Sequence, residues 1–316
     1  MFIPVKPDFQ LPRFPYLTVL TCALCIFVFL YQISTWEEYE SSFTSFCSEP
    51  KGRLTEMVMA RIANADSDTA CFDVLLQIDT SQDPAGTIQE MAAGMKPLVG
   101  LSAEDSRLYV LDKLTEQFRL YQIRVPTYPD NEFAYYTGSW NPIAMVTSSF
   151  THGSWSHIIF NLIFFFAFAT TVEVLIGGLS FVLMIIAISI FSGAFSSMAA
   201  GLLGTHYSTL GLSGVVMGMI ALNAYLLPAG YIRCYYWFVV IFGSVAVPVW
   251  ALAIWYIGWD IYNLFSSADT GVVDVMAHVT GGAAGYLYGV AFLRRKRREI
   301  KAMRLVKPLG DPPPVI

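Results

Sequence analysis

Hydrophobic and polar positions in this chain are sorted into long blocks. The run Tyr16–Ile33 (YLTVLTCALCIFVFLYQI) contains no charge, whereas residues 36–138 contain no apolar run of that length. From about residue 154 to 293 apolar sequence returns, in stretches near 154–176, 179–200, 212–228, 235–257 and 272–293. About 20 apolar residues in a helix cross a hydrocarbon core of about 30 Å. With the first run, the pattern predicts six membrane-spanning helices. Between the first and second, the shorter periodicity of soluble helices takes over. In SAEDSRLYVLDKLTEQFRLYQIR, Ser102 and Asp105 stand at capping-box spacing, and Leu108, Leu111, Leu114 and Phe118 recur at helical intervals. GRLTEMVMARIANAD and AGTIQEMAAGM read as two further helices, and TYPDNEF as a closing loop.

Composition agrees with the blocks: 55% of the 316 residues are hydrophobic and 14% charged, against about 25% charged in a soluble domain. This excludes an ordinary soluble enzyme, a disordered chain and a disulfide-rich mini-protein. Charge then orients the spans. Residues 36–138 hold 8 Lys+Arg against 17 Asp+Glu, a net of −9, while RRKRREIKAMRLVK after the last span holds eight basic residues and one acidic. By the positive-inside rule the tail is cytoplasmic. Lys6 and Arg13 place the N-terminus on the same side, and Arg233 falls in a loop expected there. The expected organisation is 1–35, cytoplasmic N-terminus and first span; 36–138, an acidic extracytoplasmic domain; 139–293, a five-span core; 294–316, a basic cytoplasmic tail. No small-x-small cleavage site follows the first run, which reads as a retained helix rather than a signal peptide, and nothing resembles a mitochondrial transit peptide. A bacterial inner membrane fits best, with a eukaryotic secretory membrane as the alternative. Cys22, Cys25 and Cys234 lie in or beside spans as packing residues, whereas Cys47 and Cys71 lie outside, where a bridge can form.

Polar side chains within spans are costly and each needs a reason. All four histidines, His152, His157, His206 and His278, map to the membrane region. His157 and Asn161 stand four apart, on one helix face, with His152 just before that helix; interhelical hydrogen bonding is the alternative reading. Gly211-Leu212-Ser213-Gly214 places a serine where a glycine-rich loop, with Gly201 and Gly204 before it, turns into a helix ending near Pro228. Sixteen residues make roughly 24 Å of helix, less than the core thickness, so if its inner end reaches the cytoplasmic surface Ser213 starts below the outer one. In the last span Gly281, Gly285 and Gly289 repeat every four residues, with His278 on the same strip, and Gly214 and Gly218 offer a matching face. If the faces meet, His278 approaches Ser213. A serine needs such a base, and acyl transfer needs donors for the oxyanion, which His157, Asn161 and the Ser213 amide can supply. Asp274, four before His278, is a candidate third member or simply an exposed charge.

H-x4-H-x3-N in the second span, G-L-S-G opening the fourth and A-H-x-x-G-x-x-x-G in the sixth resemble the rhomboid family of intramembrane serine proteases, over roughly residues 140–293. The resemblance implies an all-α polytopic six-helix bundle, here with a mostly helical insertion between helices one and two. It implies Ser213 as nucleophile and His278 as general base, with His157, Asn161 and the Ser213 amide at the oxyanion hole and His152 in support. Glu173 and Gly211 resemble structural residues of the family. Two departures stand out: Ile143-Ala144 where many bacterial members have Trp-Arg, and Met217 where an aromatic often packs on the catalytic histidine. The implied substrates are transmembrane proteins cut near their extracytoplasmic ends, with the 36–138 domain as a possible recognition element. No cofactor, metal or nucleic acid is expected. The rival readings are a catalytically inactive rhomboid-like protein that binds client helices, a transporter, and a metal site, for which the His152–His157 spacing lacks a carboxylate partner.

Overall fold

In the computed structural model the described residues are 2–7, 13–65, 67–81, 83–204, 206–238, 241–266 and 275–306. They divide into two units, Leu30–Glu132 and Met1–Phe29 with Phe133–Ile316. The first helix, α1 (Tyr16–Ser48), contributes to both.

In Leu30–Glu132 the helix continues past the apolar run that announced it. The sequence STWEEYESSFTSFCS contains no glycine or proline, and Tyr39, Phe43 and Phe46 recur at helical spacing, all buried. Pro50 and Gly52 follow its end. Helices α2 (Arg53–Ala63), α3 (Ser67–Asp79), α4 (Pro84–Gly94) and α5 (Ala103–Arg124) come next. The Ser102 hydroxyl caps α5 by accepting from Asp105 N at 3.1 Å. The buried stripe of α5 is Val110, Leu114, Phe118 and Tyr121, whereas Leu108 is exposed, so the helix is rotated from the expected 108–111–114–118 face. Helix α3 was not anticipated, and the expected TYPDNEF loop contains a short helix, α6 (Pro129–Phe133). Phe43 stacks on Phe72, centroids 4.4 Å apart, and contacts Tyr121 at 4.9 Å. Cys47 and Cys71 are joined in a disulfide between α1 and α3, with Cα atoms 5.7 Å apart. Tyr121 shares a 3.0 Å hydrogen bond with Tyr39 and donates at 2.9 Å to Asp79. Burial raises the Asp79 carboxyl above its ordinary range, a shift opposed by the Tyr121 hydroxyl.

The other unit begins with strand β1 (Phe2–Pro7). After α6 come a two-residue strand β2 (Tyr135–Tyr136), a short helix α7 (Pro142–Thr147) and a 3-10 turn at Ser148–Phe150. Helices α8 (Trp155–Ile176) and α9 (Gly178–Leu203) are separated by one residue, Gly177, whose φ of 85° permits the reversal. Strand β3 (Ser208–Thr209) pairs with β2 and leads into α10 (Ser213–Leu226). Strands β4 (Tyr231–Phe238) and β5 (Ile241–Pro248), then α11 (Val249–Ser266), α12 (Val275–Phe292) and α13 (Arg294–Val306) complete it.

The expected span near 235–257 is therefore corrected. Strands β4 and β5 pair antiparallel, and β1 adds a third strand in the order β1-β4-β5. Arg233, read as lying in a loop, sits in β4 opposite Ala246. The segment YIRCYYWF is rich in aromatic residues, and an apolar run of this length does not distinguish a buried strand from a helix by periodicity. Among the described residues, three helices, α1, α8 and α9, are long and apolar enough to cross a membrane, and α10 is a shorter apolar helix.

Two contacts fix this helical core. The faces of α10 and α12 meet backbone to backbone: a Cβ on Gly218 would stand 3.0 Å from Gly281 O, and a Cβ on Gly281 or Gly285 would collide with the carbonyl of Gly214 or Gly218. Buried Glu173, near the end of α8, accepts from Leu17 N at 3.0 Å and from Thr18 N and Oγ1 at 2.7 Å. Its carboxylate thus occupies the N-terminus of α1, where free amides favour negative charge.

Candidate active site

Ser213 opens α10, and the loop leading to it is held from the side by the segment before α8. Asn141 caps α7, its Oδ1 accepting from Ile143 N at 3.0 Å and Ala144 N at 3.3 Å, with Pro142 in the first turn. The departure at Ile143-Ala144 is thus accommodated in a capped helical turn. Ser149 shares a 2.9 Å hydrogen bond with Ser189 of α9, Tyr135 bonds Ser197, and Met145 fills the space above Gly193. From this docked segment the Ser148 carbonyl accepts Gly211 N at 2.9 Å, tying down the turn before Ser213.

Gly211 has φ +116°, and a Cβ there would lie 2.8 Å from His157 Cε1 and Nε2 and 3.9 Å from Ser213 Oγ. A side chain there would be strained by the backbone and would press on the His157 ring. The missing side chain lets the His157 ring lie against the turn that precedes Ser213. Ser154 caps α8 by accepting from His157 N at 3.2 Å, which sets His157 in the first turn of that helix. His152, almost fully buried, packs edge-on against His157 with centroids 5.1 Å apart. Asn161 is also buried, but its Nδ2 donates to the His157 carbonyl at 3.0 Å, along its own helix. Met217 lies half-buried one turn into α10.

The glycine contacts pair Gly214 with Gly281 and Gly218 with Gly285, so α10 and α12 run parallel. Ser213 and His278 consequently belong to the same end of this interface. A Cβ on Gly214 would be 3.1 Å from the Ala277 carbonyl, and Ser192 of α9 donates to that carbonyl at 2.9 Å. Among the described residues Ser213 Oγ makes no hydrogen bond. His278 Nδ1 is 2.9 Å from Asp260 Oδ2 on α11, both side chains being buried. Asp274 lies outside the described residues. A cavity of about 30 Å³, enough for at least one water, lies beside the serine. Ser148, Ser149, Ser189, Ser192, Ser196 and Ser213 supply hydroxyls around it. His206 stands apart from the other three histidines, its Nδ1 3.5 Å from Thr137 Oγ1 at the β2–β3 pair.

The family model described as Rhomboid domain matches residues 139–295. The chain belongs to the rhomboid family. Ser213, His278, His157 and Asn161 all fall inside the rhomboid domain, as do the paired glycines. The family and its apolar helices make this a membrane protein. No curated protein and no solved structure matches the chain.

Sequence reasoning missed Asp260 and the serines of α9. Asp260 carried a usable signal: it is a lone charge within IWYIGWDIYNLF. It escaped notice because the fifth span was placed to end before it. The serines gave none, since small polar residues are common on packed membrane helices.

Proposed function

We propose that this rhomboid is an intramembrane serine protease that cuts transmembrane helices near their extracytoplasmic ends. The observation that carries the reading is the parallel glycine interface, which brings the start of α10, with Ser213, to the same end as His278. In the proposed reaction Ser213 Oγ attacks the scissile carbonyl while His278 takes its proton. The tetrahedral oxyanion is met by the Ser213 amide, by His157 and by Asn161, whose amide turns from the His157 carbonyl to reach it. Collapse expels the amine, which receives the proton from His278. Water from the hydroxyl-lined cavity then hydrolyses the acyl-enzyme. Ser213 Oγ makes no hydrogen bond among the described residues, and catalytic hydrogen bonds often tighten only in the substrate complex. The same reading places six spans in the membrane, α10, α11 and α12 joining α1, α8 and α9. Both termini are cytoplasmic, the acidic unit extracytoplasmic, and the host a bacterial inner membrane.

The test is covalent labelling of the detergent-solubilised protein by a fluorophosphonate, alongside cleavage of a reporter whose transmembrane helix carries small, helix-destabilising residues near its outer end. Labelling and cleavage are expected, both falling to background in Ser213→Ala and His278→Ala. A folded protein that neither labels nor cleaves overturns the protease reading in favour of an inactive rhomboid that holds client helices.

A further inference from the structure

Asp260 is the one acidic residue in the apolar run IWYIGWDIYNLF. Its neighbours Trp255, Trp259, Ile261 and Tyr262 are exposed, whereas Asp260 is only 8% exposed. Here α11 thus turns its single carboxylate inward while these four large neighbours stay exposed. A buried carboxylate is costly unless something meets it. Here the partner is the imidazole of His278, with Oδ2 2.9 Å from Nδ1. Among the described residues this is the only hydrogen bond of either side chain.

The choice of nitrogen has a chemical consequence. An ionised carboxylate only accepts hydrogen bonds, so the proton between the two groups belongs to Nδ1. A neutral imidazole carries one N–H, which leaves the lone pair on Nε2. With Nδ1 engaged by Asp260, Nε2 is the nitrogen free to receive a proton from a serine. When it does, the carboxylate stands beside the new imidazolium as its countercharge.

We infer that Asp260 is a positioning residue for the reaction proposed above: through its contact with Nδ1 it fixes the tautomer and ring plane of His278, so that Ser213, His278 and Asp260 act as a triad within the membrane. The inference rests on the protease reading. The electron and proton balance is that of the reaction already given, with no proton transferred to Asp260. The same arrangement explains why a third member was not legible near His278 in sequence: it comes from the preceding helix, 18 residues earlier.

The test uses the full-length protein in detergent and compares wild type with Asp260→Asn and Asp260→Glu. Asparagine keeps the volume but can donate to Nδ1 and stabilise the wrong tautomer. Reporter kcat is expected to fall about 10²-fold or more in Asp260→Asn, with KM little changed and fluorophosphonate labelling slowed in parallel. Asp260→Glu, which restores the acceptor, should recover part of the rate. The ¹⁵N spectrum of histidine-labelled wild type, assigned by loss of a signal in His278→Ala, should show His278 protonated at Nδ1. If wild type labels and cleaves but Asp260→Asn does so equally fast, the positioning role is overturned and the protease reading stands. If wild type neither labels nor cleaves, the protease reading falls and takes this role with it. Should Asp260→Asn not fold, the wild-type spectrum decides, and a proton on Nε2 overturns the inference.

Discussion

The two units reach close packing by opposite means. Leu30–Glu132 packs with large groups: Tyr39, Phe43, Phe46, Phe118 and Tyr121 are buried together. Each such side chain gains about 1.5–3 kcal/mol on leaving water. The rhomboid core instead brings backbone against backbone where α10 meets α12, Gly214 and Gly218 lying against Gly281 and Gly285. Lipid is as apolar as leucine, so little is gained there by burying a larger group, and backbone proximity is what brings helices together. The difference also decides where chemistry can sit. Helices at backbone distance hold small polar groups such as Ser213 and the Ser192–Ala277 bond within reach of each other, whereas the aromatic core leaves room for one tyrosine–aspartate network.

This contrast is breakable at defined points. The largest effect is expected from Gly281→Ala, whose methyl would meet the Gly214 carbonyl. Overpacking ordinarily costs about 1–3 kcal/mol when side chains can adjust, but here the neighbour is backbone. The variant should lose both the folded core and fluorophosphonate labelling, read by thermal unfolding in detergent. A merely additive loss of about 1 kcal/mol, within the ordinary overpacking range, would show that the helices can separate. A middling effect is expected from Cys47→Ser with Cys71→Ser. A bridge closing a loop over a sequence separation of 24 stabilises by about 3.5 kcal/mol on chain-entropy grounds. Melting of the acidic unit should move down while labelling of Ser213 persists; equal loss of labelling would erase the distinction between the units. The smallest effect is expected at Asp79. Its carboxyl is raised in the folded state, so the native protein binds the proton more tightly than the unfolded chain does. Stability from this group then declines as pH rises through the window above the ordinary value of 3.8, and stays low at neutral pH. Asp79→Asn, which still accepts from Tyr121, should raise Tm slightly at pH 7 and lose that advantage near pH 3. An unchanged difference across that range would remove the carboxylate from the account.

Much of the membrane core was legible because lipid makes polar residues conspicuous. The second and third spans were placed within three residues of the ends of α8 and α9, and Ser213 at the start of a short helix followed from glycine spacing and helix length. The β4–β5 hairpin was not legible, because apolar strands and apolar helices share a composition. The continuation of α1 was readable in principle from Tyr39, Phe43 and Phe46, but the charges of STWEEYE suggested a boundary. Asp260 was lost with the misplaced span. The roles of Asn161 and His152 depend on side-chain direction, which spacing alone does not give: Asn161 points along its own helix in this state.

The Glu173 carboxylate also bears on the order in which the protein is made. Leu17 and Thr18 donate to a residue more than 150 positions later in the chain. The ribosome therefore releases α1 long before its terminal amides can find that acceptor, and the tie closes only after α8 has been synthesised. Until then the start of the first helix depends on water, lipid headgroups or insertion machinery for its hydrogen bonds. One carboxylate thus acts as a latch on α1 that closes only once α8 exists to carry it.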